Sequence, residues 1–320
     1  SYLFLNGRPY RGMLEVVLSP KNSQGRFDKL TTSKNPKSLL VLSVVWVEDY
    51  LKGVVPAEIG KLSVEEIEAL KAQAIAARTY SLSHLGQYGG LGYDLEASVI
   101  DQVYSGVDGE DPLVNFAIKR TAGKVIAYRG KLISAYYHAN CGGKTGYIEK
   151  VWDKPQESYL ISVDDDDFCS WAKNYSWEET WSKKDLEKNL SAFLDSLELL
   201  QKERFGNLFD LIVKERTPSG RIKVLEIVTD SETYRIYKDK IRWALKRGSD
   251  SNLILPSTLF DLEIERQFDN SIRSVTARGH GNGHGVGMCQ TGAIGMARKG
   301  FSYQDILTHY YPGVKIIKSY

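Results

Sequence analysis

The sequence predicts an α+β fold, with mixed helices and antiparallel strands in two lobes around a substrate cleft. Three observations carry that expectation. Short runs that alternate or stay apolar, split by polar turns, fill residues 1–45 and return between Leu208 and Phe268. Ser63-Val-Glu-Glu66 forms a capping box at the head of a helical pattern. Pro218-Ser-Gly220 supplies a hairpin turn between two strand-like runs.

Along the chain, the first strands expected are Ser1–Leu5, Gly12–Leu18 and Ser38–Val45. Val47–Val55 reads as a helix that Pro56 ends. Behind the capping box, Ile67, Leu70, Ala74 and Ala77 give one buried stripe as far as Leu85, and the many alanines let another element approach closely. Tyr88–Tyr93 is a Gly-rich loop. Strands follow near Gln102–Tyr104, Lys124–Tyr128 and Leu132–His138, with a short helix at Val114–Thr121. Gly142–Gly143 breaks the chain and residues 149–176 are irregular. The acidic run Asp164–Asp167 reads as a solvated loop without the spacing of an EF-hand. Residues 176–204 read as amphipathic helix. The strands Phe209–Glu215, Lys223–Asp230, Glu232–Ile236 and Thr258–Gln267 precede a Gly-rich segment and helices near Gly292–Lys299 and Ser302–His309. With no clear linker, residues 1–320 are taken as one catalytic unit, its lobes drawn at 1–175 and 176–320.

Composition narrows the function classes. The 42 basic and 40 acidic side chains leave a net charge of +2, which gives no global reason to expect nucleic acid. No run of about 18 apolar residues predicts a membrane span, and Ser1 opens no basic-then-apolar leader. Three cysteines, Cys141, Cys169 and Cys289, permit at most one disulfide. The 19 Tyr and 6 Trp include Tyr104, Tyr136, Tyr137, Trp152 and Tyr311 in Gly-rich or polar contexts. Aromatic faces suit sugar rings, and core packing is the plainer use for most of them.

Three segments carry candidate chemistry. Glu58 follows Val54-Val-Pro56 and precedes Ile59, and apolar neighbours disfavour the charged form, as a general acid near neutral pH requires. Taken alone, the segment fits an ordinary carboxylate at a helix end more simply. In Ser134–Thr145, His138 and Cys141 offer either a base–nucleophile pair or two metal ligands, beside a Gly-Gly turn that admits a ligand to the backbone. In the third, glycine fills every second position from Gly279 to Gly287. If extended, this stretch projects His280, Asn282, His284 and Val286 from one face over bare backbone. So much glycine costs chain entropy, which favours a close-packed cleft wall or binding surface and excludes a zinc-binding helix.

Val54-Val-Pro-Ala-Glu58, Ala72-Gln-Ala-Ile-Ala-Ala-Arg78-Thr-Tyr80, Gln102-Val-Tyr104, Tyr137-His138-x-x-Cys141-Gly-Gly-x-Thr145, Gly283-His284-Gly-Val-Gly-Met-x-Gln290 and Ile306-Leu-x-x-Tyr310-Tyr-Pro-Gly313 occur in order. Together they resemble the SpoIID/LytB family from about Leu39 to Val314. The resemblance implies a lytic transglycosylase of the cell envelope acting on peptidoglycan, often on strands stripped of their peptides. Glu58 matches its catalytic Glu, and Arg78 is the next candidate, to bind substrate or to hold Glu58. Gln102, Tyr104, His138, Asn140, Cys141, Gly142, Thr145, His280, Asn282, His284 and Gln290 are the expected substrate contacts. LytB-like members enhance a partner amidase, which makes a non-catalytic glycan-binding enhancer the alternative.

One departure concerns metal. Some members carry a zinc-binding Cys-x-x-x-His-Cys cluster before the Gln-Val-Tyr segment, where this chain has Glu96, Ile100 and Asp101. No zinc is expected there, and no metal or other cofactor elsewhere. Cys289 stands where Ser is common. A zinc site of His138, Cys141 and Cys169 is a weaker reading, a Cys141–Cys169 disulfide another. A third functional reading is a metal-dependent amidase or deacetylase using His138, His280, His284 and cysteine.

Overall fold

A computed structural model describes residues 2–18, 39–200 and 205–320. Chain order begins with β1 (Leu3–Leu5), β2 (Arg8–Tyr10), β3 (Met13–Leu18), β4 (Leu39–Val44), α1 (Val47–Glu58), α2 (Ile67–Ser83), α3 (Pro112–Arg120), β5 (Lys124–Tyr128) and β6 (Lys131–Leu132). β7 (Tyr137–His138), α4 (Ile148–Val151), β8 (Ser176–Ser182), α5 (Lys183–Ser196), β9 (Leu208–Arg216), β10 (Ile222–Thr229), β11 (Thr233–Tyr237) and α6 (Lys240–Leu245) follow. The chain closes with β12 (Phe260–Arg266), β13 (Ile272–His280), β14 (Met288–Cys289), α7 (Gln290–Arg298), α8 (Tyr303–Tyr310) and β15 (Lys315–Lys318). The fold is α+β, and among the described residues every strand ladder is antiparallel except the short β7–β14 pair. No helix among them is long and apolar enough to cross a membrane.

Two compact units emerge. The first holds Ser1–Tyr136, Met296–Thr308 and Gly313–Tyr320; the second holds Tyr137–Gly295 and His309–Pro312.

The first unit is organised by α2. The capping box forms as expected: Glu66 accepts the Ser63 amide at 2.7 Å, and Arg298 donates to the same carboxylate at 2.6 Å. A 3-10 turn at Val64–Glu66 leads into the helix. Burial is not confined to one stripe. Residues from Ala69 to Ser81 are buried except Lys71, so the helix is enclosed on nearly every side. Alanines at 69, 72, 74, 76 and 77 make that possible, because small side chains let neighbouring elements close in. Polar residues among them tie the helix to its neighbours. Thr79 Oγ1 donates to the Ile75 carbonyl (2.7 Å) and accepts the Ile126 amide of β5 (2.9 Å). Arg78, fully buried, forks onto Glu48 of α1 with two bonds of 2.8 Å and reaches the Lys124 carbonyl at 3.1 Å.

Helix α1 runs through Pro56 to Glu58 rather than stopping before the proline. Gln102–Tyr104 is irregular rather than a strand, and Leu132–His138 divides into β6 and β7.

In the second unit, sheets β11–β10–β9 and β12–β13–β8 enclose a core that includes Trp181, Leu186, Leu190, Leu225, Ile227 and Ile241. Residues 176–182 form strand β8, where helix was expected. Its Glu179 and Trp181 are buried between exposed Ser176, Glu178 and Thr180, a period of two that the charged residues obscure. Strand β13 and helix α6 were not anticipated, whereas the hairpin turn is as read: Gly220 (φ +80°) donates to the Thr217 carbonyl at 2.9 Å. Residues 201–204, part of the helical expectation, lie outside the described residues, as do Ser1 and Ser38 of the expected strands.

Removing Glu48, itself 28% exposed, would leave Arg78 buried without its carboxylate. Glu48→Ala should cost about 3 kcal/mol in urea unfolding. Burial pushes the Glu48 carboxyl up, but hydrogen bonds from Arg78 and Tyr320 outweigh it and hold the group below 4.5. The pair therefore contributes fully above about pH 5 and fades as pH falls through the depressed folded value. The gap between wild type and variant should narrow in acid.

Candidate functional site

Glu58 is the last residue of α1, half-buried behind buried Val54, Val55 and Pro56. Across from it runs the irregular segment Gln102–Gly106, which has no ladder to hold it. Gly53 does that work. A Cβ at Gly53 would lie 2.6 Å from the Gly106 carbonyl and 2.6 Å from the Tyr104 ring, so only glycine allows the approach. The Ser105 amide donates to the Gly53 carbonyl at 3.2 Å, and Val107 donates to Pro9 of β2 at 2.9 Å. The result is a Val103 amide 2.6 Å from Glu58 Oε1, fixing the carboxyl.

The neighbours of this pair are polar and aromatic. Gln102 is fully buried, its Oε1 accepting Ser81 (2.8 Å) and Tyr50 (3.3 Å). The Tyr104 ring lies 5.0 Å from Tyr50 and 6.1 Å from Tyr10. Burial, then the charges of Asp101 and Glu58, push the Tyr50 hydroxyl far above its usual range and keep it protonated. Asp101 is thus a second carboxylate of this neighbourhood, and its oxygens are engaged by Tyr80 (2.8 Å), Gln87 (3.0 Å) and the Glu96 amide (2.8 Å).

The structure brings Glu58, Gln102 and Tyr104 together and leaves Arg78 out. With no exposure and its guanidinium on Glu48 and Lys124, Arg78 is a buried framework ion pair and not a substrate-facing residue.

In the second unit the Gly-rich segment leaves extended structure after His280, the last residue of β13. Gly281, Gly283, Gly285 and Gly287 have φ of +80°, +112°, +82° and +73°, so left-handed turns replace the single face expected for His280, Asn282, His284 and Val286. These glycines also meet neighbours closely: a Cβ at Gly283 would lie 2.8 Å from His138 Cβ, and one at Gly285 would strike the Arg221 guanidinium. The segment packs onto the stretch after β7, where Asn140 and Asn282 exchange backbone hydrogen bonds of 2.9 and 2.8 Å.

Several expected substrate contacts are consequently interior. Asn140, Cys141, Thr145, His138 and Gln290 are all buried. Asn140 accepts the Gly142 amide at 2.8 Å and Thr145 Oγ1 the Val163 amide at 2.7 Å. His138 Nδ1 donates to the Val286 carbonyl at 3.1 Å, and burial, then the charges of His284 and Arg221, push its pKa well down. The His284 ring lies 4.7 Å from that of Trp152, tilted by 47°; it donates from Nε2 to the Tyr137 carbonyl (2.9 Å) and accepts the Val286 amide at Nδ1 (3.0 Å). Burial pushes its pKa down to about 4, so the ring is neutral. Gly142, Asn282 and His284 remain half-exposed and His280 exposed. His280 lines an open groove of about 610 Å³ with Trp177, Phe260, Arg216 and Arg278.

The acidic run is only partly solvated. Asp164, Asp166 and Asp167 are exposed, but Asp165 is fully buried. Its Oδ1 accepts the Tyr310 hydroxyl (2.5 Å) and its Oδ2 the Cys169 amide (2.7 Å). Cys141, Cys169 and Cys289 are free and buried around it, and one donor atom from each of the four residues lies within 4.8 Å of the others. These four could hold a metal ion. Hydrogen bonds from Cys141 and Cys289 push the Cys169 thiol far down, while burial pushes Asp165 up to about 8. Sequence reasoning missed Asp165 because its neighbours are ordinary surface aspartates; the signal available was its place four residues before a cysteine.

Comparison with known proteins gives two family matches. Residues 35–128 match the family described as Stage II sporulation protein, and residues 167–287 match a domain of unknown function, DUF8618. An uncharacterized protein of Brachyspira hyodysenteriae is 33% identical over 315 residues, covering 98% of this chain and 73% of that protein. Stage II sporulation protein D of Bacillus amyloliquefaciens is 30% identical over 84% of this chain and 74% of its own length. The Amidase enhancer of Bacillus subtilis is 30% identical over 83% of this chain, which spans 40% of that longer protein.

Gly53→Ala should force Tyr104 and Gly106 away from α1, at a cost of about 1–3 kcal/mol. Hydrogen exchange at the Val103 amide should quicken as its bond to Glu58 weakens. Gly89→Ala, with open space around the new methyl, serves as the control and should change neither readout.

Proposed function

We propose that this chain, which belongs to the stage II sporulation protein D (SpoIID/LytB) family, cleaves peptidoglycan glycan strands in the bacterial envelope as a lytic transglycosylase. The observation that supports this most is the Glu58 carboxyl at the end of α1, oriented by the Val103 amide and neighboured by tyrosines. The proposed role asks this group to give up and regain a proton in one cycle.

In the proposed reaction, Glu58 gives its proton to the glycosidic oxygen leaving C1 of N-acetylmuramic acid. The C1–O bond breaks, and the C6 hydroxyl of the same sugar attacks C1. Glu58, now a carboxylate, takes the hydroxyl proton and is restored. The product is a 1,6-anhydro end, and no water is consumed. Most glycoside hydrolases need a second carboxylate as nucleophile or base. Here the candidate second carboxylate, Asp101, already accepts three hydrogen bonds, which favours the single-carboxyl route. Peptide-free strands are the proposed preferred substrate, by family resemblance. The alternative, a glycan-binding enhancer of a cell-wall amidase, draws on the Bacillus subtilis relative of that name.

Incubation with peptide-free glycan strands, followed by mass spectrometry of the ends, tests this reading. Wild type should yield 1,6-anhydro ends, and Glu58→Gln should lower the rate about 10²–10⁴-fold, while Asp101→Asn keeps most activity. Reducing ends in place of anhydro ends would assign hydrolysis with Asp101 as partner. Binding without cleavage, with stimulation of an added amidase, would assign the enhancer role.

A further inference from the structure

We propose that Cys141, Cys169, Cys289 and Asp165 bind one zinc ion as a closed, structural Cys3Asp site in the second unit. The sequence analysis expected no metal; three lines of observation, none involving Glu58, argue for one here.

Geometry comes first. The Cys141 and Cys169 sulfurs are 3.6 Å apart, and the four donor atoms lie within 4.8 Å of one another. A tetrahedral zinc with bonds of about 2.3 Å places its sulfurs about 3.8 Å apart. The donors also come from three separate stretches: Cys141 after β7, Asp165 and Cys169 in one loop, and Cys289 at the end of β14. Four protein donors fill a tetrahedron, which leaves no open position for catalysis and marks the site as structural.

The surrounding hydrogen bonds suit anionic ligands. Cys289 Sγ accepts the Cys141 amide (3.2 Å) and the Gly292 amide (3.3 Å), at the start of α7. Both Asp165 oxygens accept hydrogen bonds, from Tyr310 and from the Cys169 amide. Such outer bonds orient ligands and sustain their charge. Gly292 makes room for the arrangement, since a Cβ there would collide with the Tyr310 hydroxyl and Asp165 Oδ1.

Charge gives the independent argument. Arg221 is 1% exposed, and its Nη2 donates to the Cys141 carbonyl at 2.6 Å and the Lys144 carbonyl at 3.3 Å. Among the described residues its Nε and Nη1 have no hydrogen-bond partner. A buried guanidinium served only by carbonyls is costly unless negative charge lies close by. Three thiolates and a carboxylate around Zn²⁺ carry a net charge of −2 and supply it. A Cys141–Cys169 disulfide would be neutral, and would leave Cys289 and Asp165 buried with no common purpose.

The test is metal analysis of the whole chain, purified under reducing conditions in zinc-free buffer. About one zinc per chain is expected, displaced by chelator with a fall in Tm. Cobalt substitution should give the visible bands of a tetrahedral thiolate complex. Asp165→Asn should weaken metal retention while the chain stays folded; should that variant fail to fold, wild-type stoichiometry and the cobalt spectrum decide alone. Wild type that retains no zinc, gives no thiolate–cobalt spectrum and keeps its Tm in chelator would overturn the proposal. Glycan cleavage is not a readout, so this result is separate from the fate of the Glu58 assignment.

Discussion

The all-round burial of α2 is the constraint on which the first unit depends. A helix enclosed on nearly every side cannot leave a polar atom unpaired without a cost of about 1–3 kcal/mol each. Three of its interior polar residues answer this in different directions. Arg78 reaches α1 through Glu48, Thr79 reaches β5 through Ile126, and Ser81 reaches Gln102 beside the catalytic candidate. The same helix is thus bonded to the first turn of α1, to β5 and to Gln102, which precedes the Val103 amide that holds Glu58.

Glycine performs two distinct tasks around the candidate residues. At Gly53 the backbone is helical and the missing side chain matters, because Tyr104 and Gly106 occupy its space. From Gly281 to Gly287 the backbone is left-handed at every second residue, where any other side chain is disfavoured. The alternation that suggests a strand is in fact a repeated turn requirement. Period-two patterning by residue type marks a strand only when the alternating residues have side chains to point somewhere.

That distinction explains which parts were legible in the sequence. The capping box of α2, the Pro218–Gly220 turn and the closing helices are encoded within a few residues, and local signals found them. Glu58 was legible as an ordered motif at the end of a helix. Arg78 was read as binding substrate or holding Glu58; its partner Glu48 lies thirty residues away, and that pairing follows from packing alone. The acidic run shows the same limit. Four consecutive aspartates look alike in sequence, and only contacts with Tyr310 and Cys169 single out Asp165. The buried roles of Asn140, Thr145 and His138 were hidden for a related reason: polar residues beside a Gly-Gly turn look equally suited to binding a ligand and to holding a second chain segment in place.

Arg78 and Arg221, set side by side, show two ways of burying a guanidinium. Arg78 meets a carboxylate through a two-bond fork, the strongest arrangement available to guanidinium. Arg221 is as deeply buried but bonds to carbonyls, with Asp239 acting on it only through space. A protein that solves this problem with Glu48 in one place does not leave it unsolved in another at no cost. Besides Asp239, Cys141 and Cys289 act on Arg221 through space, and the proposed metal would hold these cysteines as thiolates that share in balancing it. Thiols do so poorly while protonated in a buried site; thiolates held by a metal do so well. On this reading the cysteines and Arg221 form one electrostatic unit, and the Gly-rich segment that covers them, with Gly285 against the guanidinium, is shaped by that unit as much as by any ligand.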